Sequence, residues 1–349
     1  MPLSRGEVEL YRTIREAVPV VDAALIKIIR LTGGFEAVTP RAVETGDLRE
    51  FLSMVPVGHG QMGIDAFVEG YLDSLLTCGA AVGEMALSQG ARGLEAVLVG
   101  DVRDIEIVAG DSPLDFTLCV RRDGGLEPVG CPELVFFTPH MPHPDAPFGV
   151  SMLHGMPFLS QILLKIFYAM GQNWERMGAA RYSVVLRPGG HEGDHQTAER
   201  RAAQMAREWS NAMASSDNGR VRDFVAVGDV DIKVIGADGL VLDSSVPVRQ
   251  ILEQLVARTG IPPFLLGLSW SSTERMSSQQ ADILTSELTA LRRILTPVLL
   301  RIVHMWQRLR GAPCDGWIEW APINLQDELQ EARAAYVRAQ VGGISSSSL

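Results

Sequence analysis

The feature that most constrains the fold is a long helical pattern near the C-terminus, preceded by two adjacent prolines. Apolar residues recur at spacings of three, four and seven and predict one helix over Gln279–Arg310. At ~1.5 Å per residue this helix would span roughly 45 Å, longer than most domain helices. We expect a kink at Pro297, in its middle. Pro262 and Pro263 end the preceding helix, which is predicted over Val246–Arg258.

The first half of the chain combines helices with short strands. Helical periodicity covers Gly6–Leu31, where Pro19 predicts a break, and Ile64–Cys78. Asp123-Gly124-Gly125 predicts a hairpin turn between antiparallel strands. The predicted strands are Leu94–Val99, Asp104–Val108, Phe116–Arg121 and Leu134–Thr138. Together these segments predict an α+β fold.

The middle of the chain is predicted to form two long helices around a turn-rich tip. The helices are predicted over Ser151–Met177 and Gln196–Ser215, and the strand-like run Arg181–Arg187 lies between them. Strands return at Asp223–Val227 and Asp231–Ile235. A chain that leaves an α+β body, reaches a tip and returns is predicted to build a protruding stalk.

The charge is acidic and uneven. The net charge of -11 is the wrong sign for a protein that grips nucleic acid through its phosphates. It does not exclude DNA as a partner, since a surface along which DNA slides should avoid strong ion pairing. Between Leu153 and Arg222 there are nine Lys or Arg and six Asp or Glu, a local charge of +3. The rest of the chain has 22 basic and 36 acidic residues, a net charge of -14.

Targeting and membrane signals are absent from the sequence pattern. The polar, charged N-terminal stretch does not resemble a signal peptide. The longest apolar run, Pro157–Met170, contains Gln161 and Lys165 and is shorter than the ~20 residues of a membrane span. The four cysteines form no CxxC pair and are interpreted as buried residues of a reducing compartment. We therefore expect a soluble cytoplasmic protein.

The sequence also lacks the motifs of the common hydrolases. Neither a GxxxxGK[ST] nucleotide loop nor a GxSxG nucleophile elbow is present, so we predict no enzyme and no cofactor. The best metal candidate is the cluster His191, Glu192, Asp194 and His195. Gly193 argues against a helix that presents both histidines on one face. We favour a solvated polar tip and keep a metal-dependent hydrolase as an alternative.

Other polar residues have simpler interpretations. His140 and His143 could join that cluster but are expected to be loop residues between prolines. Asp101, Asp104, Glu106 and Asp111 could suggest an acidic site and are interpreted as solvent-facing. Trp270 lies in the polar loop Ser269–Ser278, where it either contacts a bulky partner or anchors the loop to the body.

Four segments, taken in order, resemble tailed-phage portal proteins. Leu255-Val-Ala-Arg-Thr-Gly-Ile-Pro-Pro-Phe-Leu-Leu-Gly-Leu resembles the family's segment of a helix followed by Gly-Val-Pro-Pro-x-Leu-Leu-Gly. Pro147-Phe-Gly-Val-Ser-Met-Leu resembles the Pro-x-Gly-x-Ser entry to a long helix. Ile318-Glu-Trp-Ala-Pro-Ile-Asn and Gly343-Ile-Ser resemble the closing strand and tail.

The resemblance implies a portal fold with wing, stem, clip, long kinked helix and reduced crown. In this numbering the parts are wing 1–150 and 218–268, stem helices 151–179 and 196–217, clip 180–195, tunnel loop 269–278, long kinked helix 279–311, and a closing strand, short crown helix (Asp327–Gln340) and tail over 312–349.

The resemblance further implies a ring, dodecameric in the virion, at one capsid vertex. Viral double-stranded DNA would be packaged and ejected through its channel without sequence specificity. The implied partners are terminase, a head–tail connector protein and the major capsid protein, with no membrane. The implied location is the virion, and the host cytoplasm during assembly. A phage head–tail adaptor without a DNA channel is the alternative.

Two residue sets carry the implied function. The DNA-facing tunnel loop would use Ser269, Trp270, Ser271, Ser272, Thr273, Glu274 and Arg275. The clip would dock partners through Arg187, His191, Glu192, Asp194 and His195.

Overall fold

The computed structural model describes two units of the chain. The described residues are 5–90, 93–110, 116–122, 125–143, 148–178, 181–186, 199–200, 203–204, 206–207, 210, 230–235, 243–268, 274–323 and 325. Met1–Leu164 and Pro247–Leu349 form the first unit, and Lys165–Val246 forms the second. Among the described residues, no helix combines the length and apolar character that a membrane crossing requires.

The helices follow the predicted periodicity closely. In the described part of the chain they are α1 (Arg5–Ala17), α2 (Pro19–Thr32), α3 (Ala42–Met54), α4 (Ile64–Cys78), α5 (Met156–Gly178), α6 (Ser245–Thr259) and α7 (Glu274–Leu309). Pro19 starts α2, which confirms the predicted break, because a missing N–H is harmless in the first turn of a helix. The Pro262-Pro263 break is also confirmed: α6 ends at Thr259, and a short 3₁₀ helix covers Pro263–Leu266.

The strands pair only antiparallel in the part of the chain that is described. They are β1 (Phe35–Val38), β2 (Pro56–Gly58), β3 (Gln61–Met62), β4 (Ala80–Leu87), β5 (Leu94–Gly100), β6 (Ile105–Ala109), β7 (Phe116–Arg122), β8 (Gly125–Pro128), β9 (Val135–Pro139), β10 (Arg181–Leu186), β11 (Val230–Ile235) and β12 (Trp317–Trp320). The sheet orders are β5-β4-β9, β6-β7-β8, β1-β12, β2-β3 and β10-β11. Arg122 pairs with Gly125, which fits the predicted hairpin turn.

Strand β4 is central to its sheet, and the sequence did not predict it. Its residues AAVGEMAL include small side chains with little intrinsic preference for strands. Gly83 has no side chain where the aromatic ring of Phe136 lies: a Cβ at Gly83 would be 2.0 Å from Cε2 of that ring. Tight packing across the sheet therefore determines a strand that periodicity does not reveal.

Two hydrophobic cores organise the first unit. The first core joins α3, α4, β4 and β9 to the C-terminal half of α7 and contains Leu48, Phe67, Tyr71, Leu72, Phe136, Leu295, Val298, Leu299, Ile302, Val303 and Trp306. The second core joins α1, α2, the end of α4 and α6 to the first turns of α5 and the N-terminal half of α7, and contains Tyr11, Ile14, Leu25, Ile28, Leu76, Met156, Leu163, Leu255, Leu284, Leu288 and Leu291.

A polar network ties the helices of the second core to α4. The Arg15 guanidinium of α1 donates to the carboxylates of Asp22 in α2 and Asp73 in α4, and to the Thr77 hydroxyl at 2.8 Å. Burial opposes the charge on Arg15, but these hydrogen bonds and charges outweigh it and raise its pKa. The network therefore fixes α1 and α2 against α4 without an unpaired charge.

The second unit is described in part. Strands β10 and β11 pair from Arg181↔Ile235 to Leu186↔Val230. Residues 199, 200, 203, 204, 206, 207 and 210 are helical, as the predicted helix Gln196–Ser215 requires. The strand predicted over Asp223–Val227 and the helix predicted over Asp327–Gln340 lie outside the described residues. The division into wing, stem, clip and crown stays a prediction.

Candidate functional site

The predicted tunnel loop is shorter than the sequence suggested. Residues Ser269, Trp270, Ser271, Ser272 and Thr273 lie outside the described residues. Glu274 and Arg275 are the first two residues of α7, so the prediction of a loop over 269–278 is wrong for its second half. An acidic residue in the first turn suits the helix dipole, and no helix breaker follows it, so the helix extends backwards.

The predicted docking residues belong to the segment that follows β10. Arg187, His191, Glu192, Asp194 and His195 all lie outside the described residues. The nearest described element is β10, which ends at Leu186 beside Val230 of β11. The docking role and the alternative metal cluster therefore stay predictions. Within the described part of the chain, no group of three His, Cys, Asp or Glu residues could hold a metal ion.

The long helix α7 is the best-defined part of the candidate site, and buried polar contacts fix its middle. Arg292 is 8% exposed, and its Nε donates a 2.7 Å hydrogen bond to the Thr32 carbonyl oxygen at the end of α2. Its guanidinium lies 5.1 Å from the centre of the Trp320 ring. A cation at a helix C-terminus is favourable, and the aromatic face adds a cation–π contact. Burial lowers the pKa of Arg292.

Two further arginines fix the C-terminal half of α7. Arg301 donates to the carbonyl oxygens of Glu133 at 3.0 Å and Val135 at 3.1 Å, at the start of β9. Arg310 donates to Asp47 of α3 at 2.9 Å and lies 4.1 Å from the centre of the Trp306 ring. Both arginines lie towards the C-terminal end of the helix, where its dipole favours a cation, and the sequence did not predict their long-range partners.

The solvent-exposed side of α7 carries few charged residues in the stretch 279–297, where its side chains are described. The exposed residues of this stretch are Gln279, Asp282, Ile283, Ser286, Glu287, Ala290, Arg293 and Pro297. Two carboxylates and one guanidinium are thus spread over about five helical turns of this described stretch. Such a face can lie beside a polyanion without holding it through many ion pairs.

The Pro-x-Gly-x-Ser segment forms a tight junction at the end of α4. Gly149 has φ +97°, and a Cβ there would be 1.9 Å from the Gly79 carbonyl oxygen. Ser151 Oγ donates to the Thr77 carbonyl oxygen at 2.6 Å and accepts the Leu153 N–H at 2.9 Å. The Gly149 and Ser151 positions of the motif are therefore explained by close backbone approach and by capping of α4.

His140 belongs to this junction and is no loop ligand. It is buried, and its Nδ1 lies 2.9 Å from the Val150 carbonyl oxygen. Burial lowers its pKa, and the nearby charge of Arg258 acts in the same direction. The expected position of His140 outside a helix or strand is confirmed, because it lies in a bend after β9, and its buried ring is not available to a metal. His143 is exposed.

The acidic residues of the β5–β7 region are partly paired. Asp101 accepts a 2.6 Å hydrogen bond from Arg103 Nη2, and this bond lowers its pKa. Glu106 pairs with Arg121. Asp101 and Asp104 line a cleft of about 520 Å³, and Asp111 lies outside the described residues. Pairing accounts for Asp101 and Glu106 without a ligand.

Helix α5 presents large aromatic side chains to solvent. In the second unit, Phe167, Tyr168 and Trp174 are 46%, 70% and 72% exposed. Gln172 donates to the Tyr168 hydroxyl at 2.9 Å, which orders the face. Beyond Leu163, the described side chains of α5 are never buried. Exposed apolar faces of this kind are typical of interaction surfaces.

Comparison with known proteins identifies the fold. No family model and no curated protein matches the chain. A chain from the neck of an empty gene transfer agent particle, computed with C6 symmetry, is 16% identical with a TM-score of 0.68, and the match covers 98% of this chain and 91% of that chain. A chain from the neck of the native particle, computed with C12 symmetry, is 16% identical with a TM-score of 0.65 and the same coverage.

A weaker likeness is to the crystal structure of an HK97 family phage portal protein from Corynebacterium diphtheriae. It is 12% identical with a TM-score of 0.42, and the match covers 87% of this chain and 93% of that chain. The two neck likenesses establish that this chain has their fold over nearly its whole length. The mixed helix and sheet architecture predicted from the sequence is confirmed.

Proposed function

We propose that the chain is a portal subunit in the neck of a phage or phage-like particle. Copies would form a ring through which double-stranded DNA is packaged and ejected. The observation that carries the proposal is the fold shared over 98% of the chain with chains from particle necks computed with C12 and C6 symmetry. A closed ring of identical copies requires that one face of each subunit meets a different face of the next.

The aromatic face of α5 supports a role in assembly. Phe167, Tyr168 and Trp174 would be covered by an adjacent copy in the ring. Burying one large apolar side chain contributes ~1.5–3 kcal/mol, and a ring repeats that contact at every subunit boundary. In the proposed ring, these exposed side chains would therefore contact a neighbouring copy of the protein.

The charge of the chain supports a channel through which DNA slides rather than a surface that binds DNA tightly. The net charge is -11, and the described exposed side chains of α7 over residues 279–297 include two carboxylates and one guanidinium. Each neutralised phosphate adds affinity, so a wall with few cations lets a duplex slide. We propose that α7 and the residues of the predicted tunnel loop, Ser269–Arg275, face the DNA.

The proposed role is structural, without catalysis or a cofactor. The clip residues Arg187, His191, Glu192, Asp194 and His195 would dock terminase during packaging and the head–tail connector protein afterwards. The major capsid protein would surround the ring at the vertex. The protein would act in the virion, after assembly in the host cytoplasm.

Electron microscopy of the purified full chain tests the proposal. Twelve copies of the 38.0 kDa chain predict a ring of roughly 0.45 MDa with an axial opening wider than a DNA duplex. A chain that stays monomeric at high concentration contradicts the ring. A ring without an opening of that width supports the head–tail adaptor instead, and contradicts the portal role.

A further inference from the structure

Two three-stranded sheets of the first unit lie on either side of an open cleft. In the sheet β5-β4-β9, Gly83 packs against Phe136, and Met85 belongs to the first core. Side chains alternate between the two sides of a strand, so Val82 and Glu84 of β4 point away from that core. Both residues line the cleft. The outer side of this sheet therefore forms one wall.

The sheet β6-β7-β8 forms the other wall. Val120 in its middle strand is paired with Ile105 of β6 and with Glu127 of β8. Directly paired residues of antiparallel strands point to the same side of a sheet, and all three of these residues line the cleft. The side of the sheet that carries them therefore faces the cleft, whereas the neighbouring residues Glu106 and Cys119 point the other way.

The walls are largely apolar, and the space between them is large. Six aliphatic side chains line the cleft, those of Val82, Ile105, Val120, Val129, Leu134 and Val135. The volume of about 520 Å³ lies within the roughly 300–1,000 Å³ of ligand-binding clefts. A helix is ~10–12 Å wide with its side chains, so about one helical turn would fill this volume. The cleft thus suits the side chains of an extended segment better than a whole helix.

The charge of the cleft is acidic and only partly neutralised. Four carboxylates and one guanidinium line it, those of Glu84, Asp101, Asp104, Glu127 and Arg122. Arg103 pairs with Asp101, and Arg122 pairs with Glu127. Glu84 and Asp104 are exposed, and neither carboxylate has a hydrogen bond or ion pair with any residue that the structure describes. Glu84 belongs to β4 and Asp104 directly precedes β6, so each wall offers one unpaired carboxylate.

We propose that this cleft binds an extended, lysine-bearing segment of another protein. The aliphatic stem of a lysine can lie along apolar side chains while its ammonium reaches a charged partner. Branched apolar residues beside the lysine would fill the space between the aliphatic walls. The charge of the cleft complements a cationic segment and repels an acidic one. The inference rests on the two sheets alone and does not require the proposed ring.

Fluorescence anisotropy of labelled peptides tests the cleft with the purified full chain. The probe is a soluble peptide in which valine and lysine alternate. One control peptide has glutamine in place of each lysine, and the other has serine in place of each valine. We expect the probe to bind about tenfold more tightly than either control, because it alone offers both apolar and cationic groups. No binding of the probe, or equally tight binding of either control, overturns the proposal.

Substitutions inside and outside the cleft distinguish a local site from the overall acidic charge. Glu84→Gln with Asp104→Asn removes the two unpaired carboxylates and should weaken probe binding roughly fivefold. The matched control, Glu50→Gln with Glu95→Gln, removes two exposed carboxylates that do not line the cleft and should leave the affinity unchanged. All four positions are exposed, and circular dichroism should show a folded chain in both variants.

Three results would overturn the proposal at this stage. The first is an unchanged affinity in Glu84→Gln with Asp104→Asn, and the second is an equal loss of affinity in both double variants. The third is binding of spermidine as tight as that of the probe, which assigns the cleft to a free polyamine instead of a protein segment.

Discussion

The Ser151 hydroxyl donates a 2.6 Å hydrogen bond to the carbonyl oxygen of Thr77, 74 residues earlier in the chain. The last carbonyl groups of a helix have no helical donor, so this bond satisfies one that α4 would otherwise leave buried and unpaired. The same oxygen accepts the Leu153 N–H. One small side chain therefore serves both the end of α4 and the segment that leads into α5.

Ser151→Ala should destabilise the first unit by about 1–3 kcal/mol, because it leaves a buried carbonyl oxygen and a buried N–H unpaired. Urea unfolding followed by circular dichroism measures the change. Ser53→Ala is the matched control, since its hydroxyl also bonds a backbone carbonyl oxygen but is exposed. Equal losses in the two variants would contradict the capping role of Ser151.

Alanine substitutions at two glycines with positive φ should distinguish the cost of a steric clash from the cost of backbone strain. Gly149 has φ +97° and Gly155 has φ +87°, but only a Cβ at Gly149 meets other atoms. Gly155→Ala should cost about 1–2 kcal/mol, the strain of a left-handed alanine. Gly149→Ala should cost several times more or prevent folding, because its Cβ overlaps the Gly79 carbonyl oxygen. Similar unfolding midpoints for the two variants would argue against the close approach at Gly149.

The buried His140 should make stability depend on pH. Burial holds its folded pKa below the ordinary 6.5, so below pH 6.5 the unfolded chain binds more protons than the folded chain. Its contribution is therefore complete above pH 6.5 and decreases as the pH falls below that value. His140→Asn retains a side-chain N–H near the Nδ1 position.

The free energy of unfolding, measured between pH 7.5 and 5, should therefore fall less steeply in His140→Asn than in the unsubstituted chain. His154→Asn, at an exposed histidine, is the control and should keep the steeper profile. A parallel decline in His140→Asn would mean that other groups cause the pH dependence.

Helices and exposed hairpins could be predicted because their signals are local. The α7 stripe, the Pro19 break and the β7–β8 turn each depend on neighbours within a few residues. The order of these elements carried the resemblance stated from the sequence, and the chain shares its fold with chains from particle necks. Local periodicity and turn chemistry were sufficient for that part of the molecule.

Long-range contacts could not be predicted in the same way. Arg292 and Thr32 are 260 residues apart, and nothing in either local sequence indicates the other. Strand β4 has a glycine at position 83 because Phe136 packs against it, a reason that exists only in the folded chain. The sequence predicts that His140 lies outside helices and strands, as it does, but not that the turn at Gly149 buries it. These sites are set by tertiary packing rather than by propensity.

The aromatic face of α5 gives the sharpest test of assembly. Trp174→Glu places a charge where the ring hypothesis requires an apolar contact with the next copy. Loss of ~1.5–3 kcal/mol at each contact weakens every boundary of the ring at once. We expect mass photometry at a fixed concentration to show at least a tenfold loss of rings, with unchanged helical circular dichroism.

Val43→Glu, the control, introduces a glutamate at an exposed position of α3 and should leave the rings intact. If Trp174→Glu rings persist, or if both variants dissociate alike, α5 is not the subunit contact, although rings of the unsubstituted chain would still support the proposed function.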